Sequence, residues 1–286
     1  MKKYQYVISF LFFPLFFACN KTTTSSVDDT NSFDSIPVVE PVVPFIDEAS
    51  GIADSKANPG NLWAEEDGGF PPRLYLLKHD GNVSKTIYIK DAINRDWEEM
   101  GRTGDTLYVA DIGDNKERYT DYSFYQFAEP LASVDTVTTF NEIKFKYPDG
   151  PHDAEAFLVD PPTKNIYIIT KRDTLSRIYK LSFPYSYTSI NETVFAGTLS
   201  YAGVTGACIS ADGTEIIVKT YPALYYYIRQ QGQSIEEVLQ NNYTLLPYIL
   251  EPQGEAVTFA TDNFGYFTLS EKNLFSFLNL YFYRRK

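Results

Sequence analysis

Two cysteines, two histidines, two methionines and two tryptophans are all that this 286-residue chain contains. Cys19 ends an apolar N-terminal stretch and Cys208 lies in "TGACIS". Once the first is modified no pair remains, so no intramolecular disulfide holds the mature chain and packing must do so. Cys208 has apolar neighbours and reads as a small buried hydrophobe, not a nucleophile. His79 and His152 are too few for a multi-histidine zinc centre. The chain has no Gly-x-Ser-x-Gly elbow, no phosphate-binding glycine loop and no His-Glu-x-x-His. Basic clusters are missing apart from the C-terminal Arg284-Arg285-Lys286, and the formal charge is -12. Losing Lys2 and Lys3 with residues 1–18 makes it -14. Nucleic acid is therefore excluded as a partner, because phosphate binding needs concentrated Lys and Arg. Beyond residue 18 no segment could span a membrane. Amphipathic helices are nearly absent, with "SIEEVLQ" from Ser234 the main candidate.

What is present starts with a leader. Lys2 and Lys3 precede "YVISFLFFPLFFA", an apolar run too short for a comfortable membrane span. Ala18-Cys19 after that run resembles a bacterial lipobox, with Phe16 and Phe17 where Leu and a small residue are more usual. The resemblance implies cleavage before Cys19 and lipidation of its thiol; the competing reading is an ordinary signal peptide. Residues 19–40 are rich in Ser, Thr and Asp and read as a flexible tether. Asp28 and Asp29 within it resemble the acidic export signals of some surface lipoproteins. The remainder, 41–286, is expected to form one domain. The expected location is the cell envelope, as an outer-membrane or cell-surface lipoprotein.

From Pro41 onward, Tyr and Phe are abundant and short apolar runs alternate with turns such as "ADGT", "PDG" and "PPTKN". This pattern indicates an all-β domain. Five starts can be laid side by side: "ASGIADS" at 49, "DWEEMGR" at 96, "DAEAFLVD" at 153, "VTGACISAD" at 204 and "QGEAVTFATD" at 253. Aligned on Glu155, the matching residues are Ser50, Glu98, Gly206 and Glu255, with spacings of 48, 57, 51 and 49. Each start is followed by a turn and by further apolar strands, four per unit. Units of about 50 residues with four strands are the signature of β-propeller blades. The sequence predicts five blades, or six if the long second unit hides one. The last unit lacks a fourth strand, which "PVVPF" from Pro41 would supply. Closing the ring in this way removes an exposed sheet edge.

In such a ring the starts of first strands and the ends of second strands share one face. Turns on the opposite face are bland: "GRTGD", "DPPTKN", "SADGTE". The other face collects the unusual polar residues. Asp96, Glu98, His152, Asp153, Glu155, Gln253 and Glu255 stand at first-strand starts. Glu65, Glu66, Asp67, Asp111, Asp114, Asn115, Lys171, Arg172, Lys219, Tyr221, Ser270 and Glu271 stand at second-strand ends. Glu98, Glu155 and Glu255 recur at one repeat position near the axis. Two like charges about 4 Å apart repel by roughly 4 kcal/mol at an effective dielectric of 20. Such a ring needs protonation, basic partners such as Lys171, Arg172 and Lys219, or a hard cation such as Ca2+ held by these three glutamates. "DIGDN" and "EEDGG" read either as turns or as cation loops. His152 is a candidate base, but neighbours on a strand point to opposite faces, so it does not share a face with Asp153 and Glu155.

The set "DWEEM" with "DIGDNKER", "GPHDAEAFLVD", "VTGACISADG" and "QGEAVTF" resembles a bacterial secreted β-propeller family over about Ala49 to Lys286. The resemblance implies the fold and the motif-bearing face, and no substrate. Where relatives often carry a second acidic residue in the fourth repeat, this chain has Ala207 or Cys208. By architecture alone the chain is also similar to gluconolactonase-like and regucalcin-like propellers, in which residues of several blades hold one divalent cation. Two functions compete. One is a lipid-anchored module binding a small molecule, glycan or protein through the acidic face. The other is a divalent-metal-dependent hydrolase of a lactone, sugar or phosphate ester. A purely structural envelope protein is the third reading.

Overall fold

The structure, a computed structural model, describes residues 32–271 and 278–286. The leader, Cys19 and most of the expected tether lie outside the described residues.

The chain is a five-bladed β-propeller. Blade I comprises Ala49–Asp54, Asn61–Glu66, Arg73–Lys78 and Val83–Ile89. Blade II comprises Trp97–Thr103, Thr106–Asp111, Tyr122–Ala128 and Asn141–Lys146. Blade III comprises Ala154–Val159, Ile166–Thr170, Arg177–Leu181 and Val194–Thr198. Blade IV comprises Val204–Ile209, Glu215–Thr220, Ala223–Ile228 and Thr244–Leu245. Blade V comprises Gly254–Phe259, Gly265–Ser270 and Asn279–Arg284, with Val38–Pro41 as its outer strand. The first strand of each blade is innermost, and these five neighbour one another in a closed ring.

Strands buried on both faces read as short continuous apolar runs, and here each blade packs against two others. Five clusters fill the wedges between blades. Between blades II and III, for example, Tyr108, Phe124, Phe145 and Phe157 meet. The many Tyr and Phe residues serve this purpose: wedges that widen outward need bulky side chains.

The second unit hides no sixth blade. Its extra length includes Thr136–Val137, which pairs in parallel with the end of the outer strand of blade I. Asn191–Glu192 of blade III pairs likewise with the outer strand of blade II. These patches cover edges that would otherwise be open. Helical structure reduces to one short turn, Ile235–Leu239, started by Ser234 and Glu237 as a reciprocal capping box.

The ring closes with the N-terminal strand, but earlier than expected. Val38–Pro41 pairs antiparallel with Asn279–Phe282, in place of a strand starting at Pro41. Phe33, only 1% exposed, packs among Tyr226, Tyr266 and Tyr283. The polar stretch assigned to the tether therefore enters the fold before Pro41. The sequence offers two Val-Val pairs here. The first pairs with blade V, and the second puts Val42 in the wedge between blades V and I.

Candidate acidic mouth of the channel

One local device repeats in all five blades. The innermost strand bulges against its neighbour: around Ser50 in blade I, and at Glu98, Glu155, Thr205 and Glu255 in the others. A bulge re-aims the extra residue and breaks the ladder there. The repeat position is thus a bulge position, and in blade IV it is held by Thr205, one residue before the expected Gly206. Where the bulge residue is not glutamate, its hydroxyl ties the next blade. Ser50 Oγ donates to the Glu98 carbonyl (2.9 Å) and Thr205 Oγ1 to the Gly254 carbonyl (3.2 Å).

The three glutamates meet different partners. Lys171 Nζ forms an ion pair with Glu155 and lies 3.6 Å from Glu255 Oε1. Tyr221 joins the pair, donating to Glu255 Oε1 at 2.7 Å and receiving from Lys171 at 3.1 Å. Ser50 Oγ reaches the other Glu255 oxygen at 3.3 Å. Burial would lower the Lys171 ammonium, but Glu155 and Glu255 more than offset it and hold the group above its usual value. Glu155 and Glu255 are therefore bridged by one lysine. Glu98 is only 3% exposed, and among the described residues no hydrogen-bond donor or cation reaches its carboxylate. Burial pushes its pKa well above the usual carboxylate range, reinforced by Glu155, Asp67 and Asp96.

Around Glu98 two sets of carboxylates converge: Asp67, Asp96 and Glu98, and Glu98, Asp153 and Glu155. Within each set, one ligand oxygen per residue lies within 4.8 Å of the others. Glu255 belongs to neither, so the trio of Glu98, Glu155 and Glu255 is not the group that comes together. Asp153 is neutralised by Arg172 Nε at 2.6 Å and accepts the Asp114 N–H at 2.8 Å. Burial, followed at a distance by Asp96, moves Asp67 up to about 7. Glu271 is moved up to about 9 by burial and then Glu255, while Gln253 donates to it at 2.6 Å.

The two ambiguous loops have a resolved role. In "DIGDN", Asp114 accepts from the N–H groups of Arg118 and Tyr119 (2.7 Å each), so it organises the turn. Asp111 accepts the Asp96 N–H at 2.9 Å. Gly113 matters by what it lacks: a Cβ there would collide with Glu98 Oε1 and the Asp96 carboxylate. Gly68 of "EEDGG" leaves room for Asp96 in the same way. Both glycines let loops close over carboxylates.

Two expected members lie elsewhere. His152 points into blade III, with Nε2 2.8 Å from Tyr179 Oη and 3.2 Å from Asp149, and Nδ1 3.5 Å from Asp173. Lys219 is fully buried and serves Glu251 (3.3 Å) and Tyr248 (2.8 Å) instead of the ring of glutamates. Sequence reasoning gave Glu251 no role; it precedes its strand and sits in no repeated motif. It also passed over Glu99, which spans the channel from blade II and accepts the Ala207 N–H of blade IV at 3.1 Å. That contact ties blades II and IV across the axis. On the far side a cavity of about 40 Å³ is lined by Met100, Phe157, Ala207, Cys208 and Phe259.

No family model and no curated protein matches the chain. Among solved structures it is similar to the PQQ-bound aldose sugar dehydrogenase of Streptomyces coelicolor, at 5% identity and a TM-score of 0.49, covering 89% of this chain and 100% of that one. It is also similar to the β-propeller domain of Cps50 (Swd1) from Myceliophteria thermophila, at 9% identity and a TM-score of 0.44, covering 83% of each. A third likeness is to hydrazine synthase of Kuenenia stuttgartiensis, at 9% identity and a TM-score of 0.39, covering 78% of this chain and 80% of that one. Likenesses this distant bear on the fold alone.

Proposed function

We propose that this protein is a lipid-anchored propeller of the cell envelope that binds a ligand or partner through its acidic mouth. The observation that carries this reading is a charge imbalance confined to one face. Asp67, Asp96, Glu98, Asp153, Glu155, Glu255 and Glu271 gather there, and among the described residues only Lys171 and Arg172 oppose them by direct contact. As anions these buried carboxylates are costly, and burial drives Glu98 and Glu271 toward the protonated form unless positive charge arrives. A ligand that brings positive charge, or hydroxyls that accompany a cation, relieves that cost on binding. Tyr221 and the half-exposed Arg172 stand at the rim, where an aromatic face and a planar cation suit glycans and peptides. The hydrolase reading loses its histidine base, because His152 is engaged inside blade III.

Glycan and peptide arrays probed with the detergent-solubilised full chain test the reading. Tyr221→Ala is expected to weaken the hits by about tenfold, on the order of 1–2 kcal/mol for a rim aromatic. Phe264→Ala, an exposed position on the opposite face, is expected to leave them unchanged. Arrays without any hit, or hits that follow Phe264 and ignore Tyr221, would remove the mouth as the binding face.

A further inference from the structure

The carboxylates of the mouth differ in whether the protein neutralises them, and this difference singles out one set. Of the two converging sets, the one formed by Glu98, Asp153 and Glu155 already has basic partners. Lys171 sits on Glu155 and Arg172 on Asp153. The other set, Asp67, Asp96 and Glu98, has no ion pair among the described residues. Arg95, adjacent in sequence, turns away: its guanidinium stacks over Tyr119 at 4.0 Å and lies 3.8 Å from Asp111.

We propose that one divalent cation, of the Ca2+ class, seats between Asp67, Asp96 and Glu98, where blades I and II meet at the mouth. The proposal rests on the binding reading above and names the charge that would complete it. An acidic cluster alone would not justify it. The independent observation is the Glu98 side chain, 97% buried on its 3% exposure, aimed into the set and reached by no described donor or cation. When ionised, such a group carries a desolvation cost that no described side chain offsets, and a cation from outside would offset it. Its surroundings are built for close approach, since Gly68 and Gly113 keep side chains away from Asp96 and Glu98. Asp67 and Asp96 are only half-buried, which leaves a route in and open positions for water or a ligand. Oxygen atoms within 4.8 Å of one another fit ligands about 2.3–2.6 Å from one centre. An all-carboxylate set from two segments, the Asp67 loop and the start of the first strand of blade II, suits Ca2+, which accepts irregular geometry, better than Mg2+, which demands an octahedron.

The test is calorimetric titration of the chelator-treated, detergent-solubilised full chain with CaCl2 and MgCl2, alongside thermal melts. One Ca2+ per chain is expected, with Tm rising by roughly 5–10 °C at a hundredfold excess over Kd. Asp67→Asn and Asp96→Asn are each expected to weaken binding by about tenfold or more. Asp67 is half-exposed, so its variant should fold even if Glu98→Gln does not. No calcium heat in the unmodified chain, or full affinity in Asp67→Asn, overturns the assignment. The array experiment separates the two readings. Hits that need Tyr221 but survive chelation leave the binding face standing without the cation. Calcium binding with no array hit does the reverse.

Discussion

An alanine at position 113 would put its Cβ against Glu98 Oε1 and the Asp96 carboxylate. Gly113 does not occupy the left-handed region, so the backbone would tolerate alanine and the objection is wholly steric. One added methyl in a packed site costs about 1–3 kcal/mol. Gly113→Ala is therefore expected to lower the unfolding free energy by that amount in urea titrations, and to weaken any cation affinity in parallel. Wild-type stability in this variant would mean that the loop can move off the carboxylates, and the close fit around Glu98 would lose its meaning. At this scale the sequence was only partly legible. Glu98, Glu155 and Glu255 recur visibly, yet their different neutralisation depends on Lys171 reaching across from just beyond the second strand of blade III. Spacing carries no information about that reach. The role of Gly113 was equally hidden, because glycine in "DIGDN" looks like ordinary turn chemistry.

Among the elements, the five repeated bulges explain both what could be read and where the reading slipped. The blades repeat the same four-strand unit, so the period of about 50 residues survives in apolar runs and turns. A bulge, however, adds one residue to one strand and is marked by no single residue type, being Ser, Thr or Glu in these blades. That is why blade IV aligned on Gly206 when its bulge residue is Thr205. The closing strand slipped for another reason. Phe33 is a single aromatic in a polar stretch, and composition alone assigns its neighbourhood to the tether. In the fold it meets Tyr266 at 5.0 Å and Tyr226 at 6.0 Å between ring centres, and the Arg285 guanidinium lies 4.6 Å over it. Truncating a fully buried phenylalanine costs about 3–5 kcal/mol. Phe33→Ala is expected to lose that much in equilibrium unfolding, whereas Ile36→Ala, at an exposed neighbouring position, is expected to lose less than about 0.5 kcal/mol. Equal, small losses from both would show that the closing segment starts only at Val38.

Taken as a whole, the ring separates its two ends. The mouth lies on the face where first strands start. The chain enters the fold on the other face: Lys286 N–H donates to the Ser32 carbonyl, Asp34 N–H to Arg284, and Arg285 N–H to Phe264 in the blade V turn. Arg284 and Lys286 are exposed there. Cys19 precedes Ser32 by 13 positions in sequence, and Ser32 lies on that side of the ring. A lipid on Cys19 would then hold the domain with the Ser32 face toward the bilayer and the acidic mouth toward the aqueous side. That arrangement would place the acidic mouth away from lipid phosphates, where repulsion is weakest once separation exceeds a Debye length of about 8 Å. Cysteines introduced at Asn115, on the mouth, and at Asp262, on the opposite turn, are both exposed and can report the orientation. In vesicles carrying the full chain, a bulky maleimide is expected to label Asn115→Cys several-fold faster than Asp262→Cys. In detergent the two rates should converge. The reverse order in vesicles would turn the mouth toward the membrane. Equal rates in vesicles and detergent would mean that the tether imposes no orientation.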